Sequence, residues 1–211
     1  MSTNHSSTEL DGLYPFLSEV AEMRRRARQH IQTANGGADL TSDHPAILQL
    51  LNEALATELV CVNRYRRHST LAGGPLADTL RAEFLKYARE EQGHADQLAE
   101  RISQLGGIPN HQPPPADSAP AGQEQELEAE ALADLLEEDL IAERIAVESY
   151  REIVQFLGSA DPHTRQLLEA ILAVEVLHAQ ELAAMRSEVL RRDRLTGSTS
   201  TSLPRLELQC A

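Results

Sequence analysis

The sequence predicts an all-α protein that folds as a four-helix bundle with one long crossover connection. Three observations lead to this fold class. Leu, Ala, Glu and Arg dominate the 211 residues and aromatic residues make up only 3% of them, a composition that favours helix over sheet. Apolar residues recur at helical spacing along four long segments. Short turns join these segments in pairs, and a long proline-rich linker separates the pairs.

Composition and charge exclude some classes of function. Hydrophobic residues make up 41% of the chain and charged residues 25%, as in ordinary globular proteins. The net charge of −14 argues against a surface that binds nucleic acid, and it suits the attraction of metal cations. Residues 1–9 are polar, so neither a signal peptide nor a membrane partner is expected. Cys61 and Cys210 are too few for a disulfide framework, and we expect a cytoplasmic protein.

Residues 1–41 are predicted to form a leader and an accessory helix. This helix begins near Pro15, a residue suited to the first helical position, and ends before Gly36 and Gly37. Four arginines lie within residues 24–28. They form either a basic patch or a solvated face that complements the helix C-terminus, and the second interpretation is favoured.

The bundle is assigned to residues 42–193, and a flexible tail rich in Ser and Thr to residues 194–211. The four helices of the bundle are predicted over residues 45–72, 75–105, 124–157 and 162–193. Ser42 or Asp43 is expected to cap the first of them. Asp161 is expected to cap the last, with Pro162 at its first helical position.

Loop lengths predict how the helices are connected. Tight turns at residues 73–75 and 158–162 make two antiparallel helical hairpins. The linker between the hairpins, residues 107–123, reaches at most ~56 Å when extended. A helix of about 31 residues is only ~46 Å long. The linker can therefore run back along the bundle, which makes the second and third bundle helices parallel.

Two Glu-x-x-His segments carry most of the functional information. Each places a carboxylate and an imidazole on one face of a helix, one turn apart. A solitary Glu precedes one segment by 33 residues and the other by 32. The six residues of this duplicated pattern are Glu58, Glu91, His94, Glu143, Glu175 and His178. Four Glu and two His so arranged are what a di-iron or di-manganese site in a four-helix bundle requires.

The setting of these residues decides between chance and function, because two such segments in a chain with 8 histidines are only a weak excess. Each Glu lies within an apolar stripe that faces the bundle interior. Four buried carboxylates would repel one another, and two divalent cations would remove that penalty. The alternatives are that the Glu side chains lie at stripe edges and face water, or that they pair with arginines. The nearby arginines fall mostly off the stripes; they are Arg64, Arg66, Arg89 and Arg144.

The remaining histidines lack a matched Glu three residues earlier or lie in flexible segments. We expect ordinary surface or capping roles for them; they are His5, His30, His44, His68, His111 and His163.

The segments that carry the pattern resemble the ferritin-like superfamily, and bacterioferritin most closely. The resemblance covers roughly residues 45–190. The similar stretches are residues 51–65, 91–96, 100–102, 107–110, 139–143 and 175–178. It implies a ferritin-like four-helix bundle, to which the N-terminal helix is an addition.

The resemblance also implies a role for each site residue. The implied ligands are Glu58 with His94 for one metal and Glu143 with His178 for the other, bridged by Glu91 and Glu175. Tyr65 would lie beside the site without binding metal. The implied activity is that of a non-haem ferroxidase, which oxidises Fe(II) with O2 or peroxide for iron storage or detoxification. Two Fe per subunit are expected, with Mn possible, because carboxylates with imidazoles suit either metal.

The chain departs from the bacterioferritin pattern at several places. Gln92 stands where a haem-binding Met follows the Glu, so no haem is expected. Lys86 stands where bacterioferritins carry a His for inner-surface iron. Residues 196–211 hold no counterpart of the short helix that lines the fourfold pore. A dimer-based homo-oligomer is expected, with dimer, 12-mer and 24-mer cage all open.

Two other functions fit the same sequence. One is a manganese catalase-like or peroxidase-like enzyme on the same bundle, since fold alone does not separate these chemistries. The other is a metal-silent helical interaction module that uses the N-terminal helix and the tail. A DNA-protecting role is disfavoured because the termini lack a Lys-rich tail and the chain is acidic.

Overall fold

The computed structural model describes residues 15–33, 40–112 and 129–197. The described residues form five long helices and a single turn of 3₁₀ helix, Gly74–Leu76. In chain order the long helices are α1 (Pro15–Thr33), α2 (Leu40–Leu71), α3 (Ala77–Gln104), α4 (Ala129–Leu157) and α5 (Pro162–Gly197). The fold class predicted from the sequence is confirmed: α2 to α5 form a four-helix bundle, and α1 is an additional helix on its side.

Helix boundaries depart from the prediction at two places. α2 begins at Leu40, so Ser42 and Asp43 lie inside its first turn and the predicted cap there is wrong. α5 continues to Gly197, past the predicted end at residue 193, so residues 194–197, which were assigned to the tail, are helical. The glycines at 36 and 37, the predicted start of α4 near residue 124, and Cys210 lie outside the described residues.

The turn between α4 and α5 follows the predicted chemistry. Gly158 has a φ of +52°, in the left-handed region that favours glycine after a helix end. The Asp161 carboxylate accepts a hydrogen bond from the backbone N–H of Thr164 at 3.1 Å. Asp161 is therefore the N-cap of α5, with Pro162 at the first helical position as predicted.

Contacts between the hairpins give the direction of each helix. Along α2, successive residues Glu58, Tyr65 and His68 meet residues of α4 with falling numbers, Tyr150, Glu143 and Asp139. α2 and α4 are therefore antiparallel, and since α2 and α3 form a hairpin, α3 and α4 run parallel. This is the topology that the linker length predicted.

Two apolar layers fill the bundle, one toward each end. One contains Leu55, Leu98, Tyr150 and Ile171, and the other contains Tyr65, Phe84, Leu136 and Leu182. On every bundle helix, the Glu of the predicted site lies in sequence between the residues of the two layers. The apolar core thus holds the site at mid-height, where water is excluded on both sides.

α1 packs across α2 and α4. Val20 and Met23 of α1 meet Val60, Ala56 and Ile145 in a small third cluster. Its arginines are neither a basic patch nor simply solvated, because Arg24 and Arg28 bond to Glu152 of α4 at 2.9 and 2.8 Å. The favoured interpretation of the arginine run is therefore corrected: part of it docks the helix.

One described segment, His44–Leu71 in α2, is long and apolar enough by length and composition to cross a membrane. Half of its apolar stretch, 50%, is buried inside the bundle, and the segment carries Glu58. Such a stretch is typical of the core helix of a bundle.

A candidate di-metal centre

The structure brings all six residues of the duplicated pattern together in the bundle core. None of them is more than 6% exposed. Their ligand atoms form two overlapping groups. Within each group, all the ligand atoms lie within 4.8 Å of one another. The groups are Glu58, Glu91, His94 and Glu175, and Glu91, Glu143, Glu175 and His178. Glu91 and Glu175 belong to both groups, which is the arrangement that two neighbouring ions with two bridging carboxylates need.

The histidine nitrogens lie at the centre of each group. Nδ1 of His94 lies 2.9 Å from Glu175, 3.3 Å from Glu91 and 3.4 Å from Glu58. Nδ1 of His178 lies 3.1 Å from Glu91 and 3.6 Å from Glu175. Each histidine therefore faces the Glu of its own helix and the Glu of the other hairpin, since α3 and α5 each contribute one Glu-x-x-His turn.

Two tyrosines hold the remaining carboxylates in a reciprocal way. Tyr65 of α2 donates a hydrogen bond from its hydroxyl to Glu143 of α4. Tyr150 of α4 donates one to Glu58 of α2. Tyr65 was predicted to lie beside the site, whereas Tyr150 was not. The signal for Tyr150 was present, because it follows Glu143 by seven residues as Tyr65 follows Glu58.

The outer nitrogen of His178 has its own partner. Nε2 of His178 lies 2.9 Å from a carboxylate oxygen of Glu90, whose side chain is 39% exposed. This contact leaves Nδ1 directed at Glu91 and Glu175. Carboxylates that bond the far nitrogen of a metal-binding histidine fix its ring and its tautomer. Glu90 was missed from the sequence because it precedes Glu91 and lies off the inward stripe.

The crowded carboxylates change the acid–base behaviour of both histidines. Burial by itself lowers the pKa of His94, but hydrogen bonds with Glu175, Glu58 and Glu91 outweigh it and raise the pKa to about 12. Burial opposes the same effect at His178, where Glu175 and Glu143 raise the pKa to about 9. Without metal, both imidazoles are therefore protonated at neutral pH.

The pKa values of the carboxylates in the centre are shifted in opposite directions. Burial and the neighbouring charge of Glu175 raise the pKa of both Glu91 and Glu143 well above the ordinary value of 4.5. Burial also raises the pKa of Glu175, but contacts with His178 and His94 outweigh this effect and lower the pKa to about 2. In the metal-free protein, bound protons therefore offset the repulsion among the carboxylates of this centre.

Several inward atoms lie in ion contact with one another but make no well-oriented hydrogen bond with the described residues. They are Glu58 Oε2, Glu91 Oε1, Glu175 Oε1 and His178 Nδ1. Buried polar atoms without a partner are rare in native proteins, and a bound ion can supply the partner they lack. The four carboxylates are hard ligands and the two imidazoles are intermediate ones, and this combination suits Fe or Mn. The residues present therefore fit a pair of such ions.

Another buried polar cluster lies one turn from the site and corrects two predictions. Arg64 is only 8% exposed and bonds to Asp139 at 2.5 Å and to Glu138 at 3.0 Å. His68, predicted to be a surface residue, is 3% exposed and lies 2.8 Å from Asp139. Arg64 is thus not off the buried stripe, but it pairs with this cluster and not with the six site residues. The cluster joins α2 to α4.

Other residues that the sequence singled out belong to neither ligand group. Cys61 is a free, buried cysteine on α2, and burial raises its pKa. Lys86 bonds to Glu181 at 3.0 Å, and Gln92 donates to Asp96 at 3.0 Å. The other three arginines considered as partners are exposed, namely Arg66, Arg89 and Arg144. Of the remaining histidines, His30 and His44 are part-buried and His111 and His163 exposed; His5 lies outside the described residues.

Comparison with known proteins places this site in a family. A sequence model of the ferritin-like domain matches residues 48–191, well over half of the chain. This protein belongs to the ferritin-like family. The matched region contains all six site residues and does not include α1.

Relatives agree with this assignment. A bacterioferritin from Mycobacterium avium is 34% identical over 143 residues, 65% of this chain and 82% of its own. A Bacillus anthracis structure described as a ferritin-like, diiron-carboxylate protein superimposes with a TM-score of 0.58 at 25% identity, covering 68% of this chain and 96% of its own. A dodecameric thioferritin from Bacteroides fragilis shares the fold, with a TM-score of 0.59 at 24% identity over 83% of this chain and 99% of its own.

Proposed function

We propose that this ferritin-like protein is a non-haem di-iron ferroxidase that oxidises Fe(II) with O2 or peroxide, for iron storage or detoxification. The observation that carries the proposal is the pair of overlapping ligand groups that share Glu91 and Glu175. A shared pair of carboxylates is what allows two ions to be held side by side in one core.

The geometry supports a division of labour among the six ligands. Glu58 and His94 belong only to one group, and Glu143 and His178 only to the other, so each pair would hold one ion. Glu91 and Glu175 would bridge the two. When bound, two such ions would supply the one-electron redox chemistry by which Fe(II) reduces O2 or peroxide. The protein contributes by fixing the ligands and by excluding water with the two apolar layers.

The two tyrosines limit how the ligands can move. Because Tyr65 and Tyr150 each donate to one oxygen of a terminal Glu, the second oxygen of that Glu is the one that would bind metal. Glu90 likewise limits the movement of His178 through its contact with Nε2 of the ring. The burial of all six ligands supports a site built for a small cation and an equally small oxidant.

Aerobic oxidation of Fe(II) tests the proposal. Glu91→Ala and Glu175→Ala each remove a bridging carboxylate, and we expect both variants to lose most of the parent's initial rate. Glu100→Ala on α3 and Glu169→Ala on α5 are matched controls, because both residues are exposed on the same helices. Variants of the bridging residues that oxidise Fe(II) as fast as the parent would show that the site is wrongly assigned.

We also propose that the protein is a homo-oligomer in the cytoplasm. The family relationship supports this, together with the dodecameric assembly of the Bacteroides fragilis relative. Native mass measurement gives the subunit number directly, and a monomer at micromolar concentration would contradict the proposal.

A further inference from the structure

The two halves of the candidate di-metal centre have equivalent ligands. Each ligand group contains three glutamates and one histidine, and the glutamate that belongs to only one group accepts a hydrogen bond from a tyrosine. The His94 subsite consists of Glu58, Glu91, His94 and Glu175, and the His178 subsite of Glu91, Glu143, Glu175 and His178. The ligand sets give the two subsites the same charge, so a difference in metal affinity has to come from how the histidines are held.

The ring of His178 is bonded at its outer edge. Its Nε2 lies 2.9 Å from a carboxylate oxygen of Glu90 on α3, while its Nδ1 faces the shared carboxylates. A carboxylate at Nε2 keeps the proton of the neutral imidazole on that nitrogen, which leaves the lone pair of Nδ1 for a metal and makes the imidazole a stronger donor. Glu90 therefore holds His178 in the tautomer that metal binding needs.

The face of the same ring packs on a tyrosine. The ring centroids of Tyr87 and His178 lie 4.7 Å apart, with the ring planes tilted by 55°. Tyr87 is fully buried, and its hydroxyl donates to Glu181 at 2.9 Å. The edge contact with Glu90 and the face contact with Tyr87 together fix the orientation of the His178 ring.

His94 has no such support within the described part of the chain. Every hydrogen bond and ion contact that it makes there runs through Nδ1, to the three glutamates of its own subsite. Neither the tautomer nor the orientation of the His94 ring is therefore fixed from its outer edge.

The duplication of the hairpins accounts for this difference. The two Glu-x-x-His turns lie 84 residues apart, so Val174 and Ile171 of α5 are the counterparts of Glu90 and Tyr87 of α3. Neither of these apolar side chains can bond to a ring nitrogen. Ile171 is instead part of one apolar layer of the core. The pseudo-symmetry of the centre thus holds for the six ligands and fails for the residues behind the histidines.

We propose that the two subsites hold divalent metal unequally, that the His178 subsite fills first, and that Glu90 is the positioning residue responsible. A ring that is already oriented and in the right tautomer loses less freedom when it binds metal than one that is not. At limiting metal the centre holds one ion beside His178, and the His94 subsite takes up the ion that exchanges more readily. The inference rests on the proposed function only in taking the six residues as a two-metal site.

Titration with Co(II) under anaerobic conditions, followed by its visible absorption, tests the inference without relying on ferroxidase activity. We expect two binding steps in the parent, with Kd values about tenfold or more apart. Glu90→Ala should weaken the tighter step about tenfold or more, as for other carboxylates that bond metal-binding histidines, so that the two steps merge. Glu90→Gln keeps a neutral acceptor for the Nε2 proton and should recover part of the loss.

Glu83→Ala is the matched control for the charge that these variants remove. Glu83 also lies on α3, its side chain is 37% exposed against 39% for Glu90, and it pairs with Lys86 at 3.6 Å. We expect both Kd values to stay within about twofold of those of the parent. An equal effect of Glu83→Ala and Glu90→Ala would overturn the role of Glu90, because only the general loss of charge would then be at work.

Substitution of one histidine at a time identifies the tighter subsite. His94→Gln leaves the His178 subsite, and we expect it to bind one Co(II) with the tighter Kd of the parent. His178→Gln should bind its single Co(II) with the weaker Kd or not at all. Added to His94→Gln, Glu90→Ala should weaken binding about tenfold, whereas in His178→Gln it should have no effect, because the group through which it acts is gone.

Several outcomes would overturn the inference and leave the proposed function intact. They are two equal Kd values in the parent, tighter binding in His178→Gln than in His94→Gln, and a Glu90→Ala substitution that changes no Kd or weakens both histidine variants alike. A His94→Gln variant that keeps its native circular dichroism but binds no Co(II) also overturns it, because the ions would then bind only as a pair. If the parent itself binds no Co(II), the proposed function and this inference fail together.

Discussion

The hydroxyl of Tyr150 donates a hydrogen bond to Glu58, so a residue of the second hairpin fixes a carboxylate of the first. Tyr65 does the same in the opposite direction toward Glu143. Both tyrosines are at most 2% exposed, so water cannot replace either bond. The two hairpins are therefore joined at the centre by a reciprocal pair of polar contacts within an apolar core.

Tyr150→Phe removes one of these contacts and leaves a buried carboxylate oxygen without its donor. We expect the free energy of unfolding of the metal-free protein to fall by about 1–3 kcal/mol, as for hydrogen bonds to charged groups. Urea unfolding monitored by circular dichroism measures it. Tyr87→Phe is the control, because Tyr87 donates to the exposed Glu181 and should cost less. Equal losses in the two variants would argue against a special role for the Tyr150 contact.

The metal-free centre is expected to be a source of instability. Glu91→Gln removes a buried carboxylate whose pKa is raised by burial and by the charge of Glu175. Because the substitution conserves shape and removes repulsion, we expect the metal-free protein to keep or gain stability, by up to about 1–2 kcal/mol. The same variant should lose the stabilisation that added metal gives the parent. Thermal unfolding with chelator and with Fe(II) under anaerobic conditions compares the two, and a marked loss of stability in chelator would contradict the expectation.

Metal binding should release protons. With pKa values of about 12 for His94 and about 9 for His178, both imidazoles carry a proton at pH 7 in the metal-free protein. A metal must displace these protons, so binding should weaken as pH falls and strengthen as pH rises toward 9. Titration calorimetry in buffers of different ionisation enthalpy counts the protons. Binding that releases no protons at pH 7 would show that the histidines are not the ligands.

The buried cluster around Asp139 should contribute stability that depends on acid. Burial would raise the pKa of Asp139, but His68 and Arg64 prevail and hold it below the ordinary value of 3.8. A carboxyl with a lowered folded-state pKa stabilises the fold above its unfolded pKa, and this contribution is lost as pH falls through the folded value. Asp139→Asn should therefore cost about 3 kcal/mol at pH 7, as when a buried ion pair is broken.

That cost should shrink below about pH 3.8, because the unfolded parent then takes up a proton at Asp139 that the folded parent takes up only at lower pH. Urea unfolding of parent and Asp139→Asn at pH 7 and at pH 3 gives the comparison, with the difference between them smaller at pH 3. Asp96→Asn is a suitable control, because Asp96 is exposed on α3. A difference that is the same at both pH values would mean that the ion pairs of Asp139 do not cause it.

The duplicated Glu-x-x-His pattern, set on inward stripes that can be read along a single helix, predicted the six residues that the structure brings together. The long linker, measured against helix length, predicted the parallel pair α3 and α4. The cluster of Arg64, His68 and Asp139 escaped prediction for a different reason. Its members are polar, and the partners that make their burial possible lie 71 and 75 residues away, so no local pattern marks them.

The docking of α1 was also beyond the sequence. An arginine run on a helix is most often solvated, and the partner of Arg24 and Arg28 lies over 120 residues downstream, at Glu152. Glu90 and Tyr150 were missed although their positions carried a signal. Tyr150 repeats the spacing of Tyr65, so the internal duplication of the hairpins could have predicted it. Glu90 is adjacent to a predicted ligand.

The central claim is that two ions are held by six residues with two carboxylates shared. Elemental analysis of the protein after anaerobic loading with Fe(II) and removal of unbound metal tests it most directly. The expected result is two Fe per subunit in the parent and a loss of both in Glu91→Ala/Glu175→Ala, with native fold retained by circular dichroism. A parent without bound metal, or a double variant that still holds two ions, would contradict the account.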